Sequence, residues 1–282
     1  MERIIASIGF GEAGQAFARP GTRTYDRKVA DPATRGALLD ACRAAEVAGC
    51  DTPQEALTGA HTVFSLVTAD QALPAAQAYA ALLAPDALWL DMNSVAPDTK
   101  RAAAKAITAA GGRYVDVAVL APVLPARLAV PLLLAGPYAA EAEAVLRGHG
   151  FTNVAIAGPT IGAASSIKMI RSVMVKGLEA LTAECVLAAE RAGVRDAVIA
   201  SLDASWKPQG WETRIAYNLD RMMAHGLRRA AEMEEVAVTL EALGVEPAMT
   251  RGTIRRQRAL GSLGLTPPDG LTAKLAALGD SE

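Results

Sequence analysis

Along roughly the first 160 residues, short apolar runs alternate with longer stretches whose apolar positions recur at helical spacing. The runs occupy residues 4–8, 22–25, 62–67, 87–91, 114–120, 131–134 and 154–157. Continuous rather than alternating apolarity is what a strand covered on both faces requires. Between the runs, residues 33–48, 72–83 and 99–110 read as alanine-rich helices. This order predicts a mostly parallel sheet with helices on both faces. The last three runs are separated by a single helix, so the far edge of the sheet is expected to be mixed in orientation. Past Gly162 the strand signals stop. Residues 163–192 read as one long helix, with Ile167, Ile170, Val173, Met174, Leu178, Leu181 and Val186 near helical period and Gly193 as its stop. Further helices follow, among them 219–243, closed by Gly244. The predicted plan is an α/β domain over 1–160, a connecting helix over 161–192 and an all-α domain over 193–282.

The chain has 282 residues, enough for one large domain or two ordinary ones. Apolar residues make up 51% and aromatics only 4%, so the core is built from Ala, Leu, Val and Ile. A net charge of −2 gives no argument for nucleic acid or an anionic membrane as partner. No apolar run approaches the length of a membrane span, and the N-terminus lacks a signal-peptide pattern, so the expected location is the cytoplasm. Cys42, Cys50 and Cys185 are odd in number and have no metal-ligand spacing, which fits reduced thiols acting as small apolar residues. His61 and His149 form no ligand array with their acidic neighbours, so no metal is expected.

The first candidate chemistry follows the first strand. Gly9-Phe10-Gly11-Glu12-Ala13-Gly14 is a G-x-G-x-x-G turn between a strand and a helical stretch, the opening of a dinucleotide-binding βαβ unit. Its first glycine permits a tight turn, its second lets backbone approach a pyrophosphate, and its third lets helix and strand pack closely. The helix start offers free N–H groups to phosphate. The alternative is a glycine turn of structural origin only. Asp26, at the end of the second strand, is placed to accept hydrogen bonds from ribose hydroxyls, which favours NAD(H). Arg27 and Lys28 follow directly and would suit a 2′-phosphate, so NADP(H) stays open, as does a plain solvated turn. Val67 and Thr68, after another strand, are expected to line the nicotinamide side.

Leu90-Asp91-Met92-Asn93-Ser94-Val95-Ala96-Pro97 resembles the D-x-S-T-x-x-P segment of the β-hydroxyacid dehydrogenases, relatives of 6-phosphogluconate dehydrogenase. Gly158-Pro159-Thr160-Ile161-Gly162 followed by Lys168 resembles that family's G-x-G-x-x-x-K-x-x-N-N helix, with looser spacing. The resemblance covers the first domain and the connecting helix and thins in the last third, where 218–235 looks like an uncharacterised branch of 6-phosphogluconate dehydrogenase relatives. It implies a Rossmann-type doubly wound sheet, a homodimer, and a hydride transfer in which Lys168 is the general acid/base. A surface lysine is the plainer reading of Lys168, and Lys176 is the alternative on the same helix. The flanks Ile167, Met169 and Ile170 suggest an enclosed stretch. Asn93 and Ser94 match the serine-threonine pair that holds the substrate's polar end beside nicotinamide; either is equally placed to cap the helix starting near Pro97.

Departures from the family bear on the substrate. Pro122-Val123-Leu124-Pro125-Ala126 stands where the family has P-V-S-G-G, replacing a polar cup with apolar bulk. The family's paired asparagines are Arg171 and Ser172. Ser172, at i+4 from Lys168, remains placed to hydrogen-bond substrate, while Arg171 lies off that face. A substrate larger or more apolar than a small β-hydroxy acid is expected. His225, Arg228, Arg229 and Glu232 share one helical face, either as a clamp over the cleft or as a solvent-facing or intersubunit ion network. Trp206 and Trp211 are expected in the loop before that helix, walling the substrate or packing helices. The leading expectation is an oxidoreductase acting on a secondary alcohol or ketone. Imine reduction and a dinucleotide-binding sensor without turnover are the alternatives.

Overall fold

The computed structural model describes residues 4–205 and 208–279; within these spans the side chains of Lys176, Glu179, Ala180, Thr182, Glu232, Glu235, Val238 and Ala242 are outside the described set. Trp206, and the side chains of Lys176 and Glu232, which the sequence singles out, therefore lie outside the described residues. The chain divides into two compact units, Met1–Val173 and Met174–Glu282.

The first unit is organised by an eight-stranded sheet. Its strands are β1 (Ile5–Ile8), β2 (Arg23–Tyr25), β3 (Ala48–Gly49), β4 (Thr62–Ser65), β5 (Leu88–Asp91), β6 (Arg113–Val119), β7 (Leu132–Ala135) and β8 (Val154–Gly158). Their spatial order is β3-β2-β1-β4-β5-β6-β7-β8, parallel throughout except for the antiparallel pair β6–β7. The far edge is thus mixed, as the single intervening helix predicts. The order reverses between β1 and β4, and ligands of such sheets bind beyond the strand ends at that switch point. β4 and β5 are buried at every position, as strands covered on both faces are, the polar Thr62, Ser65 and Asp91 included. β3 escapes the sequence pattern because it has two residues, both exposed. The helix expected to run to residue 48 stops at Ala44 to let this strand form.

On one face of the sheet, α1 (Glu12–Phe17) and α7 (Ala139–His149) supply Phe17, Ala142 and Leu146 to a core with Leu88, Leu90 and Val115. On the other, α4 (Ala72–Tyr79) and α5 (Pro97–Ala109) bring Ala76, Ala103 and Ile107 against Trp89 and Val63. Two further helices, α2 (Pro32–Ala44) and α3 (Pro53–Leu57), and the short α6 (Val123–Ala126) complete this unit with the start of α8 (Ala163–Arg191). The sequence sets residues 161–192 apart as a connector. In the structure residues 163–173 belong with the sheet and the rest of α8 with the second unit.

The second unit is helical: the remainder of α8, then α9 (Arg195–Ser205), α10 (Trp211–Ala242), α11 (Ala248–Gly261) and α12 (Leu271–Gly279). α10 and α11 cross through a glycine pair. A Cβ on Gly226 would lie 2.3 Å from the Gln257 carbonyl oxygen, and one on Gly261 would lie 2.4 Å from the Leu227 nitrogen. Glu184 of α8 caps α11, accepting from the amides of Met249 (2.8 Å) and Thr250 (3.0 Å) and from the Thr250 hydroxyl (2.6 Å). The helix expected from residue 219 begins at Trp211, so that tryptophan opens a helix instead of sitting in a loop.

Candidate active site

The glycine turn joins β1 to α1 at the switch point. Gly9 has φ +96°, and a Cβ there would lie 2.5 Å from the Leu66 carbonyl oxygen at the end of β4. A Cβ on Gly14 would lie 2.7 Å from the Gly9 carbonyl oxygen, so α1 can sit on its turn only without a side chain. Gly11 differs: an added Cβ meets nothing within 4 Å and points into open space. Phe10, expected at the cofactor, is turned inward. Its ring packs with Cys42 and Val47, and its N–H donates to Asp26 Oδ2 at 2.9 Å.

A cavity of about 400 Å³ opens on the turn, bordered by Gly9, Gly11, Glu12 and Ala13 and, from β2 onward, by Asp26, Arg27 and Lys28. Val67 and Thr68 border it from the end of β4. Gly14 is not on its wall; its part is the close packing that lets the wall form. Asp26 also accepts the Lys28 N–H on Oδ1 at 2.9 Å, so the carboxylate ties the end of β2 to the glycine turn. Each of its oxygens retains a second lone pair for a ribose hydroxyl. Arg27 and Lys28 are exposed on the rim. A cradle with no side chain at Gly11, next to acceptors at Asp26, fits a dinucleotide with its pyrophosphate on the turn. The carboxylate and the two cations occur together, which accommodates NAD or NADP.

A second cavity of about 330 Å³ adjoins the first, with Glu12, Ala13, Leu66 and Val67 bordering both. Its polar side is Asn93, Ser94 and Lys168; its apolar side includes Met92, Val119, Ala121, Pro122 and Val123. The Lys168 ammonium donates to Ser94 Oγ. Asn93 is 5% exposed and donates through Nδ2 to Ser65 Oγ (2.9 Å) and Asp91 Oδ1 (2.8 Å), while its Oδ1 has no hydrogen-bond partner. Neither Asn93 nor Ser94 caps α5, whose N-cap is Ala96 without a side-chain bond.

Three expectations are corrected. Leu124 is not on the cavity wall: α6 turns it outward and leaves it 55% exposed. The Ser172 hydroxyl donates to the Lys168 carbonyl (2.9 Å), the back-bond that serines adopt inside helices, so it does not face the cavity as a donor. Ile167 and Ile170, read as signs of an enclosed stretch, are exposed, while Lys168 itself is half-buried. Arg171, off the Lys168 face, donates to the Leu120 carbonyl at 3.2 Å and fastens α8 to the end of β6.

Beneath the site lies a buried polar cluster that the sequence reading missed. Asp91, Lys100 and Asp116 are each at most 1% exposed. Lys100 Nζ is 2.9 Å from Asp91 Oδ1 and 3.6 Å from Asp116 Oδ1. The Tyr114 hydroxyl donates to Asp91 Oδ2 at 2.7 Å; burial, then the Asp91 charge, pushes its pKa far above the usual phenol range, so it remains a neutral donor. The available signal was a charge interrupting an apolar run, as Asp116 does in 114–119.

His225 and Arg228 are exposed on α10 in the second unit, and Arg229 is half-buried there. Among the described residues no group of three His, Cys, Asp or Glu side chains is arranged to hold a metal ion. Among those residues, too, no helix is long and apolar enough to cross a membrane.

Residues 4–150 match the model of the NAD-binding domain of 6-phosphogluconate dehydrogenase. The chain belongs to that family. Residues 189–260 match a domain of unknown function, DUF1932. Among solved structures, the chain is 37% identical to a conserved hypothetical protein from Sinorhizobium meliloti 1021, covering 100% of this chain and 97% of that one with a TM-score of 0.62. It is 27% identical to a conserved protein described as similar in structure to 3-hydroxyacid dehydrogenases, covering 94% and 99% with a TM-score of 0.59. An imine reductase from Streptomyces aurantiacus shares the fold, with 20% identity over 98% of this chain and 99% of that one and a TM-score of 0.74. No protein of curated function matches the chain. The protein is thus an NAD(P)-binding oxidoreductase of the 6-phosphogluconate dehydrogenase type.

Proposed function

We propose that this protein interconverts a secondary alcohol and a ketone, with Lys168 as general acid/base and NAD(H) as the preferred cofactor. The observation that carries the reading is the hydrogen bond from Lys168 to Ser94 at the edge of a cavity adjoining the glycine turn. Gly9, Gly11, Glu12 and Ala13 would hold the pyrophosphate and Asp26 the adenosine ribose. When bound, the nicotinamide supplies or accepts the hydride.

The chain's own residues handle the oxygen and its proton. As hydride reaches the carbonyl carbon, negative charge grows on oxygen, and the Lys168 ammonium supplies both a positive field and a proton. In the other direction the neutral amine takes the hydroxyl proton. Ser94, bonded to Lys168, is placed to share a hydrogen bond with the same oxygen. Met92, Val119, Pro122 and Val123 exclude water and favour a substrate more apolar than a small β-hydroxy acid. A homodimer in the cytoplasm is offered as the working form.

Imine reduction is the competing chemistry, in which the acid need not be a lysine. The Lys168–Ser94 pair supports the alcohol and ketone reading over it. The test is a panel of hydroxy acids, aryl alcohols, ketones and cyclic imines, read by nicotinamide absorbance, followed by Lys168→Ala on the best substrate. General acid/base catalysis contributes about 10²–10⁴-fold, so kcat should fall by that order while NADH binding stays within roughly twofold. An unimpaired Lys168→Ala enzyme overturns the assignment. Tight NADH binding with no turnover on any of the panel points to a sensor instead.

A further inference from the structure

Asp91, the last residue of β5, and Asp116, in the middle of β6, are cross-strand partners. Each carboxylate holds a different piece of the site. Asp91 Oδ1 accepts the Asn93 N–H (3.0 Å) and the Asn93 side-chain amide (2.8 Å), fixing the loop that presents Ser94. Asp116 Oδ2 accepts the N–H of Gly162 (3.1 Å), the N–H of Ser165 (3.0 Å) and the Ser165 hydroxyl (3.1 Å), fixing the start of α8 one turn before Lys168. Between them stands one ammonium. Lys100 Nζ reaches Asp91 Oδ1 at 2.9 Å, the Asp91 carbonyl at 2.5 Å and Asp116 Oδ1 at 3.6 Å. Asp116 Oδ1 has no hydrogen bond, so its compensation is this charge.

From this arrangement we infer that Lys100 is a positioning residue: by bridging Asp91 and Asp116 it sets the register of the Ser94 loop against α8 and so holds Ser94 Oγ on the Lys168 ammonium. The inference rests on the proposed role of Lys168 for its meaning in catalysis, but the contact it concerns can be measured without a substrate. The bridge is a costly way to join two strands that are already paired in the sheet. Three buried charges each carry a desolvation cost, and apolar residues of similar volume often serve stability as well or better. What an apolar replacement cannot do is bind two carboxylates that are already committed to two different loops.

Lys100→Met alone leaves two buried carboxylates facing each other and is expected to destabilise the fold. Lys100→Met with Asp116→Asn is the informative variant. Its formal cluster charge is unchanged, because one cation and one anion are removed together. Asn keeps an acceptor for Gly162 and Ser165. A change at Lys168 then reports geometry and not charge.

The experiment uses the full-length protein labelled with [ε-¹³C]lysine. The Lys168 signal is assigned by its loss in Lys168→Arg, and its midpoint is followed by NMR with pH. In the wild-type background Ser94→Ala should shift that midpoint downward, because the ammonium loses an acceptor. In the Lys100→Met/Asp116→Asn background the same Ser94→Ala change should shift it by less than a quarter as much, while NADH binding stays within roughly twofold. Equal shifts in both backgrounds overturn the inference, as does a wild-type midpoint indifferent to Ser94→Ala. If the double variant does not fold, Asp116→Asn alone reads the same coupling with all three Oδ2 acceptor bonds available. An inactive panel of alcohols and ketones would defeat the proposed function and leave this coupling as it stands.

Discussion

Gly11 and Gly14 are the same residue type for opposite reasons. Gly14 is required by the protein's own packing, whereas Gly11 faces space that only a ligand would fill. Gly14→Ala should therefore destabilise the fold by about 1–3 kcal/mol, the usual cost of forcing a methyl into packed backbone. Gly11→Ala should leave the melting temperature nearly unchanged and weaken NADH binding about tenfold or more, read by nucleotide fluorescence. Equal melting losses in the two variants would show that the hollow is not a phosphate cradle. Asp26 carries the second prediction at this scale. Its charge disfavours a 2′-phosphate while Arg27 and Lys28 attract one, so Asp26→Ser should move the NADPH-to-NADH affinity ratio upward about tenfold, roughly 1.4 kcal/mol. An unmoved ratio would remove Asp26 from the ribose. The glycine motif was readable in the sequence because its constraint is local. The inward turn of Phe10 was not, since it depends on Cys42 and Val47, many residues away.

At the scale of elements, legibility followed burial on two faces. β4, β5 and β6 announced themselves by mainly apolar runs, in β6 despite the charge of Asp116, whereas β3, with two exposed residues, left no pattern to read. The start of α8 was legible, but its attachment to the sheet was not. That attachment is Asp116 reaching from β6 to the amides of Gly162 and Ser165, a contact across 46 and 49 residues. Lys100 was unreadable for the same reason. On α5 it looks like any helical lysine, and only the adjacency of β5 and β6 puts two carboxylates above it. The resemblance named Asn93, Ser94 and Lys168; the structure adds what fixes two of the segments that carry them.

At the scale of the molecule, the second unit poses a problem of burial. α9 has 11 residues and none of them is buried. An isolated helix of that length is marginal in water, because its nucleation cost is not recovered by propagation alone. Ile199 and Leu202 on it are 46% and 45% exposed. On α8 and α10, Leu187, Tyr217 and Leu227 are exposed to 53%, 60% and 55%. Apolar exposure of this extent on helices is what a surface covered by another chain would show. A second copy is the partner the family resemblance implies, and it would supply the burial that α9 lacks. Light scattering should then give a particle near twice the 29.2 kDa of one chain. Ile199→Asp with Leu202→Asp should shift it toward monomer and lose helical circular dichroism together, because α9 would have nothing left to fold against. A monodisperse monomer of the unaltered protein at micromolar concentration, with its full helix content, would show that α9 is stable without a partner and would withdraw the homodimer.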